Sequence, residues 1–148
     1  MLRQVSPTAR EERIFEIVNQ LNYGTTLVEE QQEKDELAQL NLTACRKARA
    51  STAYQAAREY ATVGLKLLGT DAWQRQYEMT LSLHDLAAEV AFLIGDFERM
   101  DRWIEAVIHH GKTPLEQVQV YQVRIQALVA RNQFLEAIAV NRSSKCWA

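Results

Sequence analysis

Little in this 148-residue chain punctuates the backbone: five glycines and two prolines in all. A sheet protein of this size needs many tight turns, whereas long helices need few, so the scarcity points to an all-α fold. Cysteine is equally sparse. Cys45 and Cys146 lie about a hundred residues apart, too few and too distant for a disulfide framework or a cysteine zinc site. A basic excess is also missing: the net charge is −2, which speaks against a dedicated nucleic-acid binder. No apolar run is long enough to span a bilayer, and residues 1–13 are polar rather than signal-like. No membrane association and a cytoplasmic location are therefore expected. Charged residues at 24% and hydrophobic residues at 47% describe an ordinary globular chain, long enough for one domain with a real core.

What the chain does contain is helical periodicity. Ser6-Pro7 reads as an N-cap followed by proline at the first helical position, and Ile14, Ile17, Val18 and Leu21 recur behind it up to Gly24. The polar run Glu29 to Glu36 reads as a solvated helix face, a loop, or both. A second helix follows through Leu37, Leu40, Ala44, Cys45 and Ala48, and a third through Ala53, Ala56, Tyr60, Val63 and Leu67 to a stop at Gly69. Asp71, with Gln74 three residues on, predicts a capped helix running to about Ile94. That helix carries two stripes, Tyr77-Leu81-His84-Ala88-Ala91 and Met79-Leu83-Leu86-Val90-Leu93, so it belongs between neighbours. Phe97, Met100, Ile104 and Val107 form the next stripe, closed by Gly111. Thr113-Pro114-Leu115-Glu116 opens another helix with a capping box, carrying Val118, Tyr121, Ile125 and Leu128. A short last segment, Phe134, Ala137 and Ile138, leads into a polar tail.

Serial helix pairs invite a test for repeats. Ala91-Phe92, Gly95-Asp96-Phe97 and Met100 align with Leu128-Val129, Asn132-Gln133-Phe134 and Ala137 at an offset of 37 residues. A shift of 44 in the other direction meets Ser51-Thr52-Ala53, Ala56 and Tyr60. The layout is similar to the tetratricopeptide repeat, with its period loosened from 34. The expected architecture is a short right-handed tetratricopeptide-like array of antiparallel helix pairs, in one domain spanning 1–148. Residues 1–36 are its leading helix and polar connector, 37–69, 71–111 and 113–141 its helix pairs, and 142–148 its tail.

In that frame the words "IFEIVNQLNYG", "ELAQLNLTACRKARASTAYQAAREYATVGLKLL", "YEMTLSLHDLAAEVAFLIGDFERM" and "VYQVRIQALVARNQFLEAIAV" become recognisable. They resemble, over residues 13–140, the tetratricopeptide-like segment of very large multidomain signalling proteins common in cyanobacteria. Those proteins join a serine/threonine kinase-like domain to an AAA-type ATPase, often followed by GAF sensor and histidine-kinase modules. The chain departs from them at Cys45, where glycine is usual, and after Phe134, where an apolar helix gives way to "NRSSKCWA". The resemblance implies a connector between engines. No GxxxxGK phosphate loop, kinase glycine loop, HRD or DFG is present, so no enzyme activity, cofactor or metal is expected of these residues.

Individual residues read mostly as structure. Arg46, Lys47 and Arg49 end a helix, where cations meet the negative end of its dipole. Cys45 lies on an apolar stripe and reads as an inert small hydrophobe, although its cationic neighbours would activate an exposed thiolate. Asp85 and Glu89 share a face at i, i+4, with His84 on a different stripe, and the spacing matches no standard metal site. His109 and His110 point apart in a last turn, and Trp73, Phe92, Phe97 and Tyr121 sit at packing positions. The partner surface is expected at Tyr77, His84, Trp103, Arg124 and Arg131, in a groove lined by the first helix of each pair. Its occupant would be a protein or peptide, another domain of the same chain, or a second copy docking on the incomplete last repeat. The competing reading is a small ligand-binding or enzymatic bundle, which requires a pocket that unites His84, Asp85 and Glu89.

Overall fold

The computed structural model describes the backbone of residues 7–145 and the side chains of residues 12–140. Among the described residues there are seven α-helices and no strand: α1 (Pro7–Tyr23), α2 (Gln31–Ala50), α3 (Tyr54–Leu68), α4 (Ala72–Arg75), α5 (Tyr77–Leu93), α6 (Phe97–His110) and α7 (Pro114–Lys145). The all-α expectation holds, as antiparallel pairs α2/α3 and α5/α6 with α1 on one side and α7 on the other.

Helix α5 is the keystone, and its two stripes explain why. Leu83, Leu86, Ala87 and Val90 enter a core shared with α1, α2 and α3. Leu81, Ala88 and Ala91 enter a second core with Met100, Ile104 and Val107 of α6 and Val120, Val123 and Ala127 of α7. Small residues let the helices approach closely. At Gly64 a Cβ would lie 3.2 Å from both terminal carbons of Leu83, so a larger residue there would have to push the Leu83 side chain aside by a few tenths of an ångström.

The two hairpins turn by the same hydrogen bonds. After α2, Ala53 N–H bonds Ala48 C=O at 2.8 Å and Thr52 N–H bonds Arg49 C=O at 3.0 Å. After α5, Asp96 N–H bonds Ala91 C=O at 2.8 Å and Gly95 N–H bonds Phe92 C=O at 3.1 Å. Each is a Schellman turn with a left-handed residue, Thr52 at φ 62° and Gly95 at φ 80°. The spatial repeat therefore pairs residue 52 with 95, an offset of 43, one less than the sequence comparison chose. In this register Ala57, Ala61 and Gly64 answer Met100, Ile104 and Val107, all of them buried. Two of the three buried polar residues, Asn41 and His84, also coincide, each bonded to the carbonyl four residues back, Leu37 and Thr80 respectively.

Several local expectations need correction. The helix expected from Asp71 to Ile94 breaks at Gln76 (φ −131°, ψ 58°). Asp71 makes no side-chain cap and instead pairs with Arg75 at 3.0 Å. Nor does a turn form at Asn132-Gln133. Residues 114–145 are one continuous helix rather than a pair, and 142–145 extend it. The physical reason is at hand: neither residue is glycine, and from 128 to 140 every described side chain is exposed, so no buried core rewards leaving the helix. Gly24 follows α1 with φ −102°, so it is no left-handed cap. The polar run 29–36 is mostly the first turn and a half of α2, and it is not merely solvated. Asp35 accepts from Gln31 at 2.8 Å and from Arg75 at 2.8 Å. Arg75 also donates to Leu68 C=O at 2.6 Å, tying the end of α3 to α2 and α4. Burial pushes the Asp35 carboxyl up, but the hydrogen bonds from Arg75, Gln31 and Gln76 outweigh it and hold it below its usual range. By contrast the capping box at Thr113 and Glu116 forms as expected, with reciprocal bonds of 3.3 Å and 3.1 Å. Ser6, Cys146 and Trp147 lie outside the described residues.

Candidate functional site

Three of the five expected partner residues come together, in an aromatic layer between α4, α5 and α6. Trp73 stacks on His110 with ring centroids 4.7 Å apart and lies 4.8 Å from His84, which meets Trp103 edge-on at 5.3 Å. Tyr77 joins through Trp73 at 5.7 Å. Its hydroxyl donates to Glu116 at 2.7 Å and accepts from Lys112 N–H at 2.9 Å, pinning the start of α7. His84 is 8% exposed, and burial lowers its imidazole pKa, opposed by the hydrogen bond with Thr80 C=O and aided by the nearby His110. This layer is occupied by its own side chains. Arg124 and Arg131 lie elsewhere, on the α6/α7 side: Arg124 pairs with Glu105, and the Arg131 guanidinium covers the Phe97 ring at 5.0 Å. Together with Asp101, Met100 and Leu128 they border a separate hollow of about 390 Å³.

The groove along the first helices α2, α5 and α7 is lined by other residues. Arg46 and Arg49 come from α2, Ser82, Asp85, Leu86 and Glu89 from α5, and Gln119 from α7, around about 390 Å³. Arg49 closes one side with an ion pair to Glu89 at 2.9 Å. Asp85 is partly buried, and its Oδ1 accepts no hydrogen bond. Burial, then the nearby Glu116 and Glu89 charges, push its carboxyl up to about 6. Sequence reasoning weighed Asp85 and Glu89 only as metal ligands beside His84. A better signal was available: once the two apolar stripes of α5 are assigned, Ser82, Asp85 and Glu89 remain as its one polar line at i, i+3 and i+7. His84 faces the aromatic layer and is not among the residues that line this groove with Asp85 and Glu89. No cluster of three metal-ligating side chains occurs among the described residues.

Cys45 is fully buried, and desolvation raises its thiol to about 11 despite Arg46 and Arg49 nearby. It packs in the α2/α3 core as an inert side chain. Lys47 and Arg49 stand in the last turn of α2, as the dipole reading expected, though Arg49 also reaches α5. Among the described residues no helix is long and apolar enough to cross a membrane.

Comparison with known proteins gives one informative similarity. The chain is 28% identical over 137 residues to hybrid signal transduction histidine kinase G of Dictyostelium discoideum, covering 86% of this chain. It spans 4% of that protein's length, so the similarity concerns one small segment of a very long signalling protein. No family model matches, and no solved structure matches. The similarity fits a signal-transduction context.

Proposed function

We propose that the chain is a non-catalytic helical-repeat module that connects or docks parts of a large kinase-type signalling protein. The similarity to a short stretch of a very long histidine kinase supports the setting, and the 43-residue recurrence of hairpins supports the tetratricopeptide-like architecture.

The observation that carries the docking role is the second half of α7. Val120, Val123 and Ala127 pack against α5 and α6, but from residue 128 to 140 every side chain is exposed. Among them Phe134 is 66% exposed, Leu135 62% and Val140 68%. Burying a large apolar side chain stabilises by about 1.5–3 kcal/mol, so this face gains several-fold from a cover. The occupant the array calls for is an antiparallel amphipathic helix. Helix α2 is covered in this way by α3, and α5 by α6, whereas α7 has no such companion among the described residues.

The purified chain can cover that face with a second copy, which makes the reading testable by light scattering. Wild type is expected to associate as concentration rises. The double variant Phe134→Glu with Ile138→Glu is expected to stay monomeric with its melting transition unchanged. A wild-type chain that remains monomeric at every concentration, while amides 128–140 exchange at open-chain rates, would refute the docking role.

A further inference from the structure

The two ends of the array are complementary halves of one hairpin. In the 43-residue register, Ala57, Ala61 and Gly64 of α3 and Met100, Ile104 and Val107 of α6 fall on Ile14, Val18 and Leu21 of α1. Helix α1 thus stands where the second helix of a hairpin stands, and it packs on α2 as α3 packs on α5 and α6 on α7. Among the described residues it has no first helix of its own. Helix α7 is the converse, a first helix without a second. We propose that α1 of one copy of this chain docks antiparallel on α7 of another, so that copies join head to tail and continue the array. The proposal rests on the docking reading of α7 and names its occupant.

Exposure shows what each end lacks. Ile17 and Leu21 of α1 are 47% and 45% exposed. Their equivalents in the complete hairpins, Tyr60 with Gly64 and Trp103 with Val107, are buried or partly buried. On α7, Ala130 and Phe134 are exposed, whereas the equivalent Ala44 and Ala48 of α2 and Ala87 and Ala91 of α5 are buried. The contact of first helix with second, α2 with α3 and α5 with α6, is the most extensive packing in the array. It is this contact that α1 and α7 both go without.

Helix α1 fits the vacant place in length and in pattern. It has 17 residues, against 15 in α3 and 14 in α6. At 1.5 Å per residue it reaches about 25 Å, enough to cover the roughly 20 Å of residues 128–140. Its other side is already held, since Val18 enters the core, Phe15 stacks on Tyr60 at 5.8 Å and Asn22 bonds Asn41. Ile17 and Leu21 therefore form a second stripe, as expected of a helix that lies between two neighbours. A solenoid end that stays uncovered carries a polar outer face, and neither of these does. Because α1 and α7 are different surfaces the joint is heterologous, so association does not stop at two copies. A pairing of α7 with α7 would be two-fold symmetric and would stop there.

The test is light scattering with reductant present. Wild type should grow beyond two copies as concentration rises. Ile17→Glu with Leu21→Glu blocks α1 and leaves α7 open, and Phe134→Glu with Ile138→Glu does the reverse. Each double variant alone should self-associate at least about tenfold more weakly than wild type, because it places two carboxylates in the apolar joint. Their equimolar mixture should regain association and stop at two chains. On isotopically labelled wild type, amides 14–21 and 128–140 should shift together over the same concentration range, a readout that needs no substitution. If the α1 variant associates as well as wild type, or only amides 128–140 shift, this proposal is overturned while the docking reading stands. A mixture that stays monomeric overturns it too, as does a monomeric wild type. The docking reading falls with it only where amides 128–140 also exchange at open-chain rates.

Discussion

Replacing Asp85 by asparagine should stabilise the protein, by an amount that depends on pH in a defined direction. The folded carboxyl titrates at about 6 against 3.8 for the unreacted group. The folded state therefore binds more protons than the unfolded state between those two values, and Asp85 costs stability as pH rises through that window. Two pKa units at 1.36 kcal/mol each set a ceiling of about 3 kcal/mol. Asp85 is only partly buried, and solvent screening reduces this to about 1–2 kcal/mol. The assay is urea unfolding of wild type and variant at a series of pH values. The gain in Asp85→Asn should be near zero at pH 4, grow through pH 6 and level off above pH 7. Wild type alone gives a mixed curve. His84 has a lowered folded pKa, so its contribution is lost as pH falls below the unfolded imidazole value, and it opposes Asp85 in the same interval. The difference between variant and wild type removes that overlap. A flat difference, or a variant less stable at pH 8 than at pH 4 relative to wild type, would show that Asp85 is not an uncompensated charge.

Three further predictions concern the scaffold. Thr52 holds a left-handed φ of 62° where its counterpart is Gly95, so Thr52→Gly should raise stability by about 0.5–1 kcal/mol in denaturant unfolding. A loss there would mean that Thr52 earns its place by contacts. Asn22 and Asn41 exchange amide bonds of 2.8 Å and 2.9 Å across α1 and α2. Asn41→Ala should cost about 1–3 kcal/mol by stranding its partner, and joint replacement with Asn22→Ala should recover part of it in a double-mutant cycle. In a Cys146→Ser background, the Cys45 thiol should react with an aromatic disulfide reagent only at the rate of unfolding, because it is fully buried with a raised pKa. Fast labelling of native protein would contradict the packing assigned to α2.

Helices were legible in the sequence wherever a stripe met a stop signal. The two stripes of α5 and the box at Thr113 and Glu116 translate directly into packing and hydrogen bonds, because both depend on residues within one or two turns. The break at Gln76 was not legible. It depends on Asp35, forty residues earlier, which holds Arg75 and Gln76 from across the interface. The site fared similarly: His84 stood out as an unusual residue on an apolar stripe, and it proved to be filling space against Trp73 and Trp103. Asp85, beside it in sequence, looked unremarkable until the stack placed it opposite α2 and α7.

The sequence by itself determined the all-helical class, the hairpin order and the burial of Cys45, since period, turn chemistry and side-chain polarity are local properties of the chain. Only the tertiary structure decided the 43-residue register of the hairpins, the unbroken run of α7 and the composition of the groove. Register is set by which left-handed residue closes each turn once helices pack, and Thr52 does not announce itself as the partner of Gly95. A helix ends where folding back buries something, and from 128 to 140 the described side chains all stay exposed. A charge cluster assembled from three helices exists only after they are stacked, and so the environment of Asp85 is set by its neighbours.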